Sequence, residues 1–304
     1  MRRSRSHHLP KTRFVAILAL LAVAAFVALL LACPPSRGPA AGPAHAPATL
    51  APHPENPPGT LQPLAGTLPP ERPRPEERGM LAIIVDDAGY SLEELQAFLD
   101  LPMPLTVAVL PDLPHSTEAA RRVLAAGKDL ILHCPMEPVG GGNPGPGAIF
   151  TGQSPEKIRQ LLDADFTSVP GALGMNNHMG SKATADEAVM TAVLGYLKSR
   201  GKLFVDSRTT ADTAGPRIAE ALGMPILQRD VFIDDDVDED AIVAGFDKGI
   251  AEAKSRGSAV AIGHVQNRGV VDILRAAEGT LAAQGVRMAR LTEVLAARER
   301  KRVQ

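Results

Sequence analysis

Five short apolar runs end on residues able to bind a metal ion or move a proton. Ile83-Ile84-Val85 leads into Asp86-Asp87, Leu130-Ile131-Leu132 into His133, and Leu173-Gly174-Met175 into Asn176-Asn177-His178. Leu203-Phe204-Val205 leads into Asp206, and Val260-Ala261-Ile262-Gly263 into His264. Neutral imidazoles beside a carboxylate suit zinc or a similar divalent ion, with positions left for water and substrate. Such an ion lowers the pKa of a bound water toward about 7 and polarises a carbonyl oxygen, so the chemistry indicated is metal-assisted hydrolysis. Two adjacent carboxylates can divide the work, one holding metal and one taking a proton from water, if the strand end turns both to one rim. Singly, each residue has a structural reading. An aspartate after a strand often caps a helix, and a lone histidine there is often satisfied by backbone carbonyls. Together they point to a shared site.

The elements that must position these residues alternate from Met80 onward. Strand candidates are 81–85, 105–110, 130–132, 172–175, 203–205, 225–227, 259–262 and 286–289. Helix starts are signalled by Ser91 before Leu92, by Ser116 before the 118–126 run, and by Ser154-Pro155-Glu156 before the 158–162 run. Further helical spacing covers 185–199, 213–222 and 239–256. This order implies an α/β fold with a mainly parallel sheet, and a barrel is the economical way to close it. In a parallel barrel the strand ends share one rim, where barrel enzymes carry their sites. The glycine-rich stretch 140–147 is a long loop without dinucleotide or P-loop spacing.

Composition bounds the partners. The 304 residues carry a formal net charge of -2 and a pI near 6.5, which excludes the basic field of a nucleic-acid binder. With two cysteines, Cys33 and Cys134, a disulfide framework has no support, and Cys134 reads as a buried, unpaired thiol. Arg2, Arg3, Arg5, Lys11 and Arg13 make 1–13 a basic segment, expected to be cytoplasmic, before an apolar run over 14–33 that is long enough to span a bilayer. A retained anchor in the cytoplasmic membrane places the rest of the chain outside, facing the periplasm or cell exterior. Alternatively, Leu30-Leu31-Ala32-Cys33 resembles a lipoprotein processing site. Residues 34–78, rich in Pro and Ala, read as a disordered, semi-extended linker, followed by one folded domain over 79–304.

The folded part, about 80–295, resembles the divergent polysaccharide deacetylase family, a branch of the NodB-like carbohydrate esterases. The resemblance is carried by Ile84-Val85-Asp86-Asp87, His133-Cys134-Pro135-Met136-Glu137-Pro138, Asn176-Asn177-His178-Met179-Gly180-Ser181, Val205-Asp206-Ser207-Arg208-Thr209 and Ile262-Gly263-His264. It implies an irregular (β/α) barrel of about seven strands that removes N- or O-acetyl groups from a polysaccharide such as peptidoglycan or an exopolysaccharide. By that resemblance Asp86 is the catalytic base, Asp87 the metal carboxylate, His133 the first metal histidine, His264 the acid for the leaving group, and Asp206 the supporting acid. The implied cofactor is a divalent ion, most simply zinc.

One position departs from the pattern. The related esterases carry a second histidine four residues after the first, where this chain has Glu137. His178 is then the expected replacement ligand, and Glu137 reads as a further ligand, a substrate contact or a loop residue. Asn176 and Asn177 could orient acetyl or sugar groups, or form a tight turn. The acidic run 234–240 lacks the spacing of a calcium loop and reads as a solvated loop and helix start from which Asp234 or Asp235 can reach the rim. A catalytically silent domain that binds a glycan or a cell-envelope protein is the alternative, favoured by 3% aromatic residues, no Trp and the altered motif.

Overall fold

A computed structural model of the protein describes residues 78–303; the segments 1–13 and 14–33, Cys33, and all but the last residue of the 34–78 stretch lie outside the described residues. No helix among the described residues is long and apolar enough to cross a membrane.

Nine strands form one parallel sheet: β1 (Gly79–Ala88), β2 (Thr106–Val109), β3 (Asp129–Met136), β4 (Gly174–Met179), β5 (Leu203–Asp206), β6 (Leu227–Gln228), β7 (Val231–Phe232), β8 (Ser258–His264) and β9 (Val286–Met288). Their order is β6-β5-β4-β3-β2-β1-β8-β7, with β9 also on β1. Helices α1 (Leu92–Leu99), α2 (Ser116–Ala125), α3 (Pro155–Ser168), α4 (Glu187–Ser199), α5 (Gly215–Leu222), α6 (Glu239–Arg256), α7 (Arg268–Ala283) and α8 (Leu291–Val303) alternate with the strands.

The expected parallel α/β order is present, as an incomplete barrel. β6 and β7 do not pair with each other. Leu227-Gln228 pair with Val205-Asp206, and Val231-Phe232 with Ala261-Ile262, so these two short strands form one bent stave shared between β5 and β8. Arg229 and Asp230 cross the seam: the Arg229 amide donates to Asp206 O and the Asp230 amide to Val260 O. The Asp230 carboxylate accepts from the Val260 amide and from Arg298 Nη2 at 2.6–2.8 Å. A two-residue strand is too short to show a period of two, so β7 has no counterpart among the sequence expectations. Helices α7 and α8 likewise go beyond them.

Strand alternation sorts the core into two layers. Ala82, Ile84, Ala108, Ile131, Val205, Leu227, Val260 and Ile262 pack inside the sheet. Leu81, Ile83, Val85, Val107, Leu130, Leu132 and Phe204 pack outward against the helices. Helix starts follow local chemistry. Ser91 and Ser154 accept from the Glu94 and Lys157 amides as caps. Ser116 is not a cap, because its hydroxyl donates to Leu110 O and accepts from the Leu113 amide, closing the turn after β2.

Outside the sheet, Cys134 is a free, buried thiol, and burial together with Asp165 pushes its pKa up. Asp165 on α3 is fully buried, its Oδ1 has no hydrogen-bond partner, and burial with the Asp112 charge raises its pKa to about 8. The carboxyl stays protonated in the fold while the unfolded chain ionises near 4, so this group's contribution to stability falls as pH rises between those values. Asp165→Asn is expected to raise the melting temperature at pH 8 by at least about 2–4 °C, the shift worth 1 kcal/mol in a domain of this size, and to change it little at pH 4. Thermal unfolding at both pH values is the check.

Candidate metal centre

The inward phase that buries Ile84, Ile131 and Ile262 brings Asp86, His133 and His264 to the barrel mouth two residues later. Asp86 and His264 are direct neighbours in the β1–β8 ladder, and His133 lies beside Asn176 in the β3–β4 ladder. Asp87 would face away on a regular strand. Instead β1 bulges between Val85 and Ala88, and Asp87 takes a left-handed backbone with φ of 66°, which swings its carboxylate to the mouth. Met179 (φ 53°) and Arg208 (φ 50°) turn two other strand ends in the same way.

Asp87, His133 and His178 form a three-donor cluster. Asp87 Oδ1 lies 3.1 Å from His133 Nε2 and 3.0 Å from His178 Nδ1, and the two nitrogens are 3.1 Å apart. Asp87, His133 and His178 would hold one divalent ion, since donor atoms this close together would all be within reach of the ~2.0–2.2 Å bonds that zinc makes. Asp87 Oδ1 is buried and has no hydrogen bond, an arrangement that costs free energy for a carboxylate unless a cation satisfies it. Two imidazoles and one carboxylate with an open side therefore fit a catalytic divalent ion. Burial opposes the charge on Asp87, but the two histidines outweigh it and hold the carboxyl well below its ordinary range.

Asp86 is 2% exposed; its Oδ2 lies 3.7 Å from His133 Nε2, and burial raises its pKa against the lowering pull of His133 and His264. His264 Nδ1 pairs with Asp234 Oδ1 at 2.9 Å, while Asp234 Oδ2 accepts from the His264 amide at 3.0 Å. Burial disfavours the imidazolium, yet the Asp234 hydrogen bond and charge, with Asp86 and Asp87 behind it, raise its pKa to about 9. Nε2 is then the nitrogen left for a substrate. The ring also stacks on Phe232, with centroids 5.8 Å apart.

Three expected site residues stand elsewhere. Asp206 follows inward-facing Val205 and so points outward; its carboxylate accepts from the Arg208 amide and from Thr213 Oγ1, and the acid beside His264 is Asp234 instead. Asn177 points outward as well, accepting from the Ser207 amide and donating to Met179 O. Glu137 is occupied by its loop. It accepts from the Thr151 amide and hydroxyl at 2.8 and 2.6 Å and pairs with Lys182 at 2.7 Å. Lys182, then Thr151, hold its pKa down at about 2. Gln266, which donates to Asp87 Oδ2 at 3.4 Å, has no signal in the sequence. Asp234 sits in an acidic run that offers several candidates.

Residues 83–295 match the family described as divergent polysaccharide deacetylase. An uncharacterized protein of Haemophilus influenzae is 35% identical over 184 residues, covering 60% of this chain and 66% of the relative. The Escherichia coli K12 uncharacterized protein YibQ is 36% identical over 186 residues, covering 61% and 58%. The chain thus spans 58–66% of the length of these curated relatives. Among solved structures, an uncharacterized protein of Agrobacterium tumefaciens C58, ATU2773, shares the fold with a TM-score of 0.67 at 23% identity, over 73% of this chain and 92% of that one.

The geometry separates His178 from Glu137 experimentally. His178→Ala is expected to lower zinc affinity by more than the about 10–100-fold typical of changes outside the ligand sphere, whereas Glu137→Ala leaves it unchanged. Calorimetric zinc titration reads both.

Proposed function

We propose that this chain, which belongs to the divergent polysaccharide deacetylase family, is a metal-dependent hydrolase that removes acetyl groups from a polysaccharide. The observation that carries the reading is the Asp87, His133 and His178 triangle flanked by the Asp86 carboxylate, which Asn176 holds by one oxygen, and by the Asp234-backed His264. An ion bound there supplies Lewis acidity, easing deprotonation of water and polarising an acyl carbonyl. Asp86 takes the proton of the attacking water as its oxygen bonds to the acyl carbon. His264, held as imidazolium by Asp234, gives a proton to the departing amine or alcohol as the bond to the acyl carbon breaks. Acetate and the free amine or hydroxyl leave, and solvent returns the two residues to their starting protonation.

Zinc is the ion best suited to two imidazoles and one carboxylate. Tyr90 and Phe150 expose ring surface in loops after β1 and β3, which offers a sugar chain two stacking faces. The basic 1–13 and apolar 14–33 segments support a location outside the cytoplasmic membrane, in reach of peptidoglycan or an exopolysaccharide.

The purified chain should release acetate from acetylated glycan oligomers in the presence of zinc. Asp86→Asn or His264→Ala should reduce that release to background, and a chelator should abolish it. Release that survives both substitutions sinks the proposal, and a chain that binds zinc without releasing acetate identifies a silent binding domain. The pH profile is a second check. The rate depends on protonated His264, so it declines as pH rises through that group's pKa, and Asp234→Asn should move this decline about 1–3 units lower.

A further inference from the structure

We infer that Asn176 is a positioning residue that sets the metal ligand His133 and the base Asp86 with the two ends of one amide. The inference rests on the deacetylase reading only in its turnover arm.

Asn176 is fully buried, so it does not meet an acetyl or sugar group. Its Oδ1 lies 2.7 Å from His133 Nδ1. Its Nδ2 donates to Asp86 Oδ1 at 2.9 Å, with Ser207 Oγ at 3.3 Å as a second acceptor. An ionised Asp86 only accepts hydrogen bonds, so the NH2 end of the amide must face it and the oxygen must face His133. An amide oxygen also only accepts, which puts the imidazole proton on Nδ1. His133 Nε2 is thereby left as a lone pair directed at the ligand triangle, 3.1 Å from Asp87 Oδ1. In the other tautomer, an N–H would point into the triangle and two lone pairs would face each other across 2.7 Å.

The same amide anchors one oxygen of Asp86 and leaves the other, Oδ2, on the side of His133 Nε2. A single planar group thus couples the angle of the base to the tautomer of the ligand. A carboxylate at this position would keep the acceptor for His133 but share a proton with Asp86 at the 2.9 Å now spanned by the amide, which occupies the base, and a leucine would lose both contacts at similar volume. The two functions can therefore be taken apart.

The test uses the full chain in detergent, with three readouts: zinc affinity by calorimetry, imidazole nitrogen NMR of the metal-free protein, and acetate release. The wild type should show His133 with its proton on Nδ1. Asn176→Leu should lower zinc affinity by about 10–100-fold, as expected for loss of a ligand-orienting contact, and should leave the His133 tautomers averaged. Asn176→Asp should retain zinc affinity and the Nδ1–H tautomer while acetate release falls by about 10²–10⁴-fold, the contribution of a general base.

A folded Asn176→Leu protein that keeps both tautomer and affinity overturns the inference. So does an Asn176→Asp protein that loses affinity as severely as the leucine variant. Should the leucine variant not fold, Asn176→Ser and the aspartate variant decide the outcome by the same split. If the wild type releases no acetate, the deacetylase reading fails, and the tautomer and zinc readouts still decide the role of Asn176.

Discussion

Two consecutive side chains on a regular strand face opposite sides of the sheet, and the Asp87, His133 and His178 cluster depends on the breaking of that rule at one point. The extra residue in β1 between Val85 and Ala88 lets Asp86 stay in the inward phase while Asp87 turns back to join it. The left-handed backbone at Asp87 costs about 1–2 kcal/mol for a residue with a side chain. Neighbouring strands hold it in place: the Val265 amide donates to Asp86 O, and the Leu110 amide to Ala88 O. Asp86 and Asp87 are therefore separated by conformation rather than by chain distance, and each can be given its own environment.

Those environments follow from what surrounds each group. Asp86 loses water, which raises its pKa, while the Asn176 amide that donates to it pulls the other way. Asp87 faces two imidazoles and is held charged. His264 is biased to its cationic form by Asp234. The floor beneath them is apolar, built from Ile84, Ile131, Val205 and Ile262, which keeps the local dielectric low and strengthens each of these effects. Binding of a cation at the triangle would add to the stability of the folded state by mass action.

Much of this was legible in the sequence because apolar runs ending in polar residues are a local signal. The β1, β3, β4 and β8 runs read correctly as strands, though each continues through the polar residues, to Ala88, Met136, Met179 and His264, and the convergence of Asp86, Asp87, His133, His178 and His264 follows from parallel pairing. What the pattern does not carry is phase. Val205 faces inward, so Asp206 cannot, yet a four-residue strand gives no alternation by which to tell. Nor does spacing show that Glu137 is claimed by Thr151 and Lys182, since one of these partners comes from a loop and the other from the far side of β4. Asp234 was hidden among several acids because the strand that aims it is two residues long. Asn176 was visible as a candidate, but its role depends on burial.

The position of β1 has a consequence for how the domain comes into being. Among the described residues β1 is the strand with three partners, with β2 along its upper part, β9 along its lower part and β8 on its other side. Two of those three neighbours are supplied by the last quarter of the chain. Pairings so distant in sequence are slow to form, because the entropy of closing the intervening loop is lost before any contact compensates it. During synthesis the edge of β1 that takes β8 and the lower stretch that takes β9 therefore stay unpaired after β2 is available, until residues 258–288 are made. Asp86 meets His264 only in that event, so the cluster at the strand ends has no partial form: Asp86, Asp87 and His133 are all present in a growing chain before the ladder that sets Asp86 beside His264 exists.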